Sequence, residues 1–169
     1  MEEMEVPTEH LSDEINEKAE EARQQRKWSF YVAISTALMA VFAAVTSLMA
    51  GHHSNEALIE QIKASDQWNY YQAKGIKAEI LGLSATSPDT MKIKKYNTDQ
   101  QSIKEIAEDH EKKSEEHLQK HVILARSVTL FQIAIAISAI SVLTGKRPLW
   151  YFSIVLALVG AGFFVANYI

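Results

Sequence analysis

Three blocks of apolar residues, each close to or beyond the length that crosses a lipid bilayer, constrain this chain more than anything else in it. The first runs from Trp28 to Ala50, 23 residues without Asp, Glu, Lys or Arg. The second runs from Ser127 to Leu143, and back to Val122 if Arg126 sits at its edge. The third runs from Leu149 to Ile169. A helix rises about 1.5 Å per residue, so about 20 residues span a hydrocarbon core of about 30 Å. A 169-residue chain cannot easily wrap three all-round apolar helices in its own polar surface. The mean hydropathy of -0.10 hides this segregation of apolar blocks from charged ones. The pattern predicts an all-α membrane protein with three transmembrane helices, at 28–50, 122–143 and 149–169. The first block is too long, and its flank too acidic, for a cleaved leader, so it reads as a retained anchor.

Lys18, Arg23, Arg26 and Lys27 precede the first span, and Lys146 and Arg147 lie in the turn before the third. Three spans place these groups on one side, which the positive-inside rule makes cytoplasmic. Lys63, Lys112, Lys113, Lys120 and Arg126 oppose that assignment. The central loop is long enough to weaken their vote, and the first span usually dominates. The expected topology is a cytoplasmic N-terminus, with residues 51–121 and the C-terminus outside.

Residues 1–27 are expected to hold a short amphipathic helix from about Thr8, striped by Leu11, Ile15, Ala19 and Ala22, with a Glu14–Lys18 pair one turn apart. Residues 51–121 are expected to form a long extramembrane helical hairpin of the coiled-coil kind, with its tip near 85–89. Ser87 with Pro88 signals a helix start there, and Thr98 with Gln101 offers a second. A tip near 87 pairs residues whose numbers sum to about 174. Leu83 then meets Met91, Ile80 meets Ile93, Tyr71 meets Ile103, and Trp68 meets Ile106. Nearer the membrane, Leu58 and Ile62 would face the charged run EDHEKKSEEH, Glu108 to His117. So thin an apolar seam offsets little ordering entropy, which points to association with further copies or another protein.

The spans carry small residues at four-residue intervals: Ala33 with Ala37, Thr36 with Ala40 and Ala44, Ser153 with Ala157 and Ala161, and Gly162 with Ala166. Such spacing lets helices approach closely in lipid. Gln132 is the most polar residue of the second span and suits a helix–helix hydrogen bond. Trp150, Tyr151 and Tyr168 suit membrane interfaces. No carboxylate or histidine lies within a span, which argues against a proton-coupled pump and a membrane haem.

The histidines are the candidate ligands. His52 and His53 close the first span, and His117 and His121 share a helical face before the second. With Glu56 they could hold a divalent metal, although an interhelical hydrogen-bonded layer would look the same. There is no cysteine, so thiolate chemistry is absent. A net charge of -4 without a basic field gives nucleic-acid binding no support. No nucleophile–base pair, phosphate loop or paired-carboxylate motif appears, and the chain reads as a non-enzyme without a required cofactor.

The stretch AGHHSNEALIEQIKASDQWNYYQAKGIKA, Ala50 to Ala78, resembles a family of small bacterial membrane proteins catalogued only as a domain of unknown function. The likeness continues at VPTEHL, Val6 to Leu11, and at HLQKHVILARSVTLFQIAIAISAISVLT, His117 to Thr144. It implies a bacterial inner-membrane protein with a helical extramembrane insertion. His52, His53, Asp66, Trp68, Tyr71, Gln72, Lys74, His117, His121 and Arg126 belong to the pattern as a possible interaction surface. The leading expectation is a homo-oligomeric inner-membrane scaffold that contacts lipid and associates through Trp68, Tyr70, Tyr71 and Ile76. The alternatives are an oligomeric channel lined by Ser, Thr and Gln, and a metal-binding membrane protein using His52, His53, Glu56, His117 and His121.

Overall fold

In the computed structural model the described residues are 8–83 and 89–166, with side chains from residue 12 onward. They form three helices: α1, Thr8–Gly82; α2, Thr90–Thr144; and α3, Arg147–Ala166. All three are long and apolar enough to cross a membrane. The chain's three prolines are Pro7, Pro88 and Pro148, and each falls at or just before a helix start, where a missing N–H costs nothing. With no proline between, α1 continues for 75 residues through the apolar block and past Gly51. The short N-terminal helix expected over 8–27 is therefore the first part of a much longer one.

The described start of α2 is capped by Asp89, whose carboxylate accepts from the Lys92 N–H at 3.1 Å. Ser87 and Pro88 lie outside the described residues. Thr98 is no cap, because it lies inside α2 and its hydroxyl donates to the Lys94 carbonyl at 3.0 Å. At the other end Gly145 has φ of 67°, the left-handed geometry that stops α2 after Thr144.

Two compact units divide the chain. One holds the described residues up to Val45 with Arg126–Val165; the other holds Thr46–Ala125. In the first, Met39, Ala43, Phe131, Ala134 and Ala157 form an apolar core joining all three helices. Phe42 stacks on Phe131 with ring centroids 6.2 Å apart. Ser153, Ala157 and Gly160 are the buried residues of α3, a small-residue face on which α2 lies close. There the Ser127 hydroxyl donates to the Gly160 carbonyl at 2.6 Å. Ala161 packs beside this core, whereas Gly162 has open space about it.

In the second unit the two helices run antiparallel. Residues recur at their contact every seven positions, the repeat at which neighbouring helices stay in register. On α1, Ala50, Ala57, Ala64 and Ala78 are buried, and Tyr71 takes the intervening place. Contacts Ala50–His121, Ala57–Ser114 and Tyr71–Gln100 give paired numbers that sum to 171, three below the expected 174. The shift has a visible cost to the expected pairs: Leu83 and Met91 are among the most exposed apolar residues of the chain. A tip near residue 87, with large apolar pairs in support, fixes the expected register. Alanine and polar residues fix the actual one.

Candidate functional site

Alanine at the contact positions brings the α1 backbone within reach of α2 side chains. Three of them take α1 carbonyls: Ser114 donates to Ala57 at 2.8 Å, His121 through Nδ1 to Ala50 at 2.8 Å, and Gln100 through Nε2 to Tyr71 at 3.1 Å. Each carbonyl already serves its own helix, so its second lone pair is used. At the intervening layer Ala64 and Ala107 are both fully buried. Gly75 leaves room for Gln100, whose amide nitrogen lies 2.7 Å from where a Cβ would stand.

The alternate layers are ionisable. His53 and His117 meet Nδ1 to Nδ1 at 3.1 Å, so one ring donates and the other accepts. Burial, and then the neighbouring His117, Lys120 and His52, hold the His53 pKa below its ordinary value, with Glu56 opposing them. Next along, Glu60 is bonded by Lys63 at 2.7 Å and by His110 Nδ1 at 2.5 Å. The hydrogen bonds from Lys63 and His110 bring its carboxyl down to about 2. Farther on, Lys74 bonds Asp99 at 2.7 Å and lies 5.1 Å from the ring centroids of both Tyr70 and Tyr96. Its pKa is raised, first by the Asp99 hydrogen bond. The charged run that offers no apolar face thus contributes His110, Ser114 and His117 to the interface.

The expected metal ligands are only partly brought together. His53 and His117 pair, while His121 turns to a backbone carbonyl. His52 is exposed, with its ring 5.6 Å from that of His53. Among the described residues no group of three or more His, Asp or Glu is placed to hold a metal ion. The expected association surface also divides. Trp68 donates to Glu111 at 2.7 Å and meets Tyr71 edge-on, so both belong to the α1–α2 contact. Tyr70 and Ile76 remain exposed. Sequence reading places His110 farther along the histidine stripe but misses Glu60 and Ser114, although their seven-residue spacing from His53 and His121 was a usable signal.

In the first unit several hydroxyls bond within the helix bundle, whereas Thr129 is exposed. Thr36 and Ser138 bond at 2.6 Å, Ser141 donates to the Ser138 carbonyl, and Trp150 Nε1 donates to Ser35. The first and third of these bonds join the chain's own helices. Gln132 differs, being exposed on α2. A groove of about 490 Å³ is lined by Ala33, Thr36, Ala37 and Ala40 of α1 and Ser138, Ala139 and Val142 of α2. Ala139 is one seven-residue step from Gln132 and shares its face.

A family described as a domain of unknown function, DUF4337, matches residues 28–90 and 84–169, which takes in all three apolar blocks and the helix pair. The chain belongs to the DUF4337 family. The match begins at the first apolar block, so Val6 to Leu11 lie outside it. No curated protein and no solved structure matches this DUF4337 protein.

Proposed function

We propose that this DUF4337 protein is a multi-pass bacterial inner-membrane scaffold that assembles with copies of itself, its α1–α2 pair standing outside the membrane as a helical hairpin. The observation that carries the reading is Gln132. Its amide is exposed in the middle of an apolar segment, and among the described residues none bonds it. In lipid an unpaired amide is costly, and a facing helix supplies its partner. The groove beside it is lined by Ala33, Ala37 and Ala40, spaced for close approach of another helix. A second copy brings both features together, because the same face presents groove and amide in each. Exposed Leu58, Ile62, Tyr70 and Ile76 give the hairpin apolar surface of its own for such an assembly.

Native mass spectrometry of the detergent-purified chain tests this. The unsubstituted protein is expected as a multimer, and Gln132→Leu and Ala37→Leu are expected to shift it toward monomer. A monomer at every concentration for the unsubstituted chain overturns the proposal.

A further inference from the structure

The end of the first unit where α1 enters its apolar block and α2 turns into α3 gathers cations that form no ion pair among the described residues. Arg23, Arg26 and Lys27 occupy the last turns of α1 before the apolar block, and Lys146 and Arg147 form the turn into α3. Arg147 comes beside Gln24 and Gln25 of α1, while Arg23, Arg26 and Lys27 line a separate hollow at the same end. A groove of about 580 Å³ is lined by Lys18, Glu21, Gln24 and Gln25 of α1 together with Arg147, and a Cβ on Gly145 would lie 3.8 Å from the Gln25 amide. Among the described residues none of these five cations enters an ion pair. Lys18, by contrast, is matched by Glu14 at 2.6 Å. The first turn of α3 also has no acidic side chain, so the positive end of its dipole is uncompensated.

Trp28 provides a second, independent observation. It stands directly after this cluster and is 7% exposed, and its indole Nε1 is the one buried side-chain nitrogen or oxygen among the described residues with no hydrogen-bond partner. A buried donor left unpaired is uncommon and points to an acceptor. Phe30 lines a further hollow with Arg23, Arg26 and Lys27, so apolar surface adjoins the charge.

We infer that this collar binds a phosphate-bearing anion, supplied by the headgroup of an anionic phospholipid, with Arg23, Arg26, Lys27, Lys146 and Arg147 providing charge and the Trp28 indole a hydrogen bond. The location favours a lipid over a free phosphate because the cations border the apolar block, where headgroups lie when the block spans a bilayer. The inference rests on the membrane-spanning part of the proposed function and is independent of self-association.

The test is retention of lipid by the full chain. The protein is reconstituted with phosphatidylglycerol or phosphatidylcholine, re-extracted in mild detergent, and weighed by native mass spectrometry. Phosphatidylglycerol is expected to stay bound and phosphatidylcholine to be lost. Each neutralised cation, as in Arg26→Gln or Arg147→Gln, is expected to weaken retention about fivefold, the effect of one basic residue near an anionic surface. Those variants alter the charges that orient the chain, so Trp28→Phe provides a second arm. It keeps every charge and removes only the N–H, and is expected to weaken retention about threefold or more, the worth of one hydrogen bond. Equal retention of the two lipids, or unchanged retention in both kinds of variant, overturns the inference. Displacement of phosphatidylglycerol by inorganic phosphate assigns the site to free phosphate and overturns the lipid source. Failure of the membrane reading is separately visible, as recovery of the chain in the soluble fraction without detergent.

Discussion

At the scale of single residues, two glycines in similar helical settings are expected to behave differently. A Cβ at Gly160 would stand 3.3 Å from both the Ser127 carbonyl oxygen and the Leu130 Cβ. Neither can swing away, so α2 and α3 must part and the Ser127 hydrogen bond must stretch. Gly160→Ala is expected to lower stability by about 1–3 kcal/mol, the usual cost of overpacking. At Gly75 the obstacle is the end of the flexible Gln100 side chain. Alanine there loses about 1 kcal/mol with the Gln100–Tyr71 bond and regains about 1 kcal/mol in helix propensity. Gly75→Ala is therefore expected to be near neutral. Unfolding of both variants in mixed detergent checks the contrast, and equal effects would show that the two contacts are not what distinguishes them.

At the scale of elements, the α1–α2 pair of the second unit should loosen in acid in two steps. The His53 pKa is below 6.5 in the folded chain, so the unfolded chain binds more protons and stability falls as pH drops through about 6.5. Glu60 behaves likewise at lower pH. Its folded pKa of about 2 lies under the ordinary 4.5, so its contribution is complete above 4.5 and is lost as pH falls toward 2. Hydrogen exchange of backbone amides in 50–64 and 107–121, followed against pH, is expected to show both steps. His117→Gln should shrink the upper step, leaving the part that burial of His53 supplies, and keep the lower one. An upper step of unchanged size in His117→Gln would show that the paired imidazoles contribute nothing to it.

At the scale of the whole molecule, the proposed topology puts residues before the first span and those of the helix pair on opposite sides of a membrane. The chain has no cysteine, so single cysteines report without background. Gln61→Cys is expected to react with a membrane-impermeant maleimide in intact cells, and Gln24→Cys only after lysis. Labelling of Gln24→Cys in intact cells would reverse the orientation. The lipid collar would then face outward, and the helix pair would lie in the cytoplasm.

The sequence by itself determined the three apolar segments and the helical state of the rest. Both follow from local chemistry: runs without charge, and prolines confined to the helix starts. It also pointed to Trp68, Tyr71, His53, His117 and His121 as residues with a partner. Only the tertiary structure decided which partner each takes. A register counted from a tip near residue 87 places Leu83 on Met91, but those two side chains are exposed. The actual register is set by alanines that admit polar side chains to backbone carbonyls. Such contacts depend on how closely two backbones approach, a distance that no pattern along one chain specifies. For the same reason only His53 and His117 of the expected set His52, His53, Glu56, His117 and His121 bond each other, while Glu60 and His110, fifty positions apart, are joined.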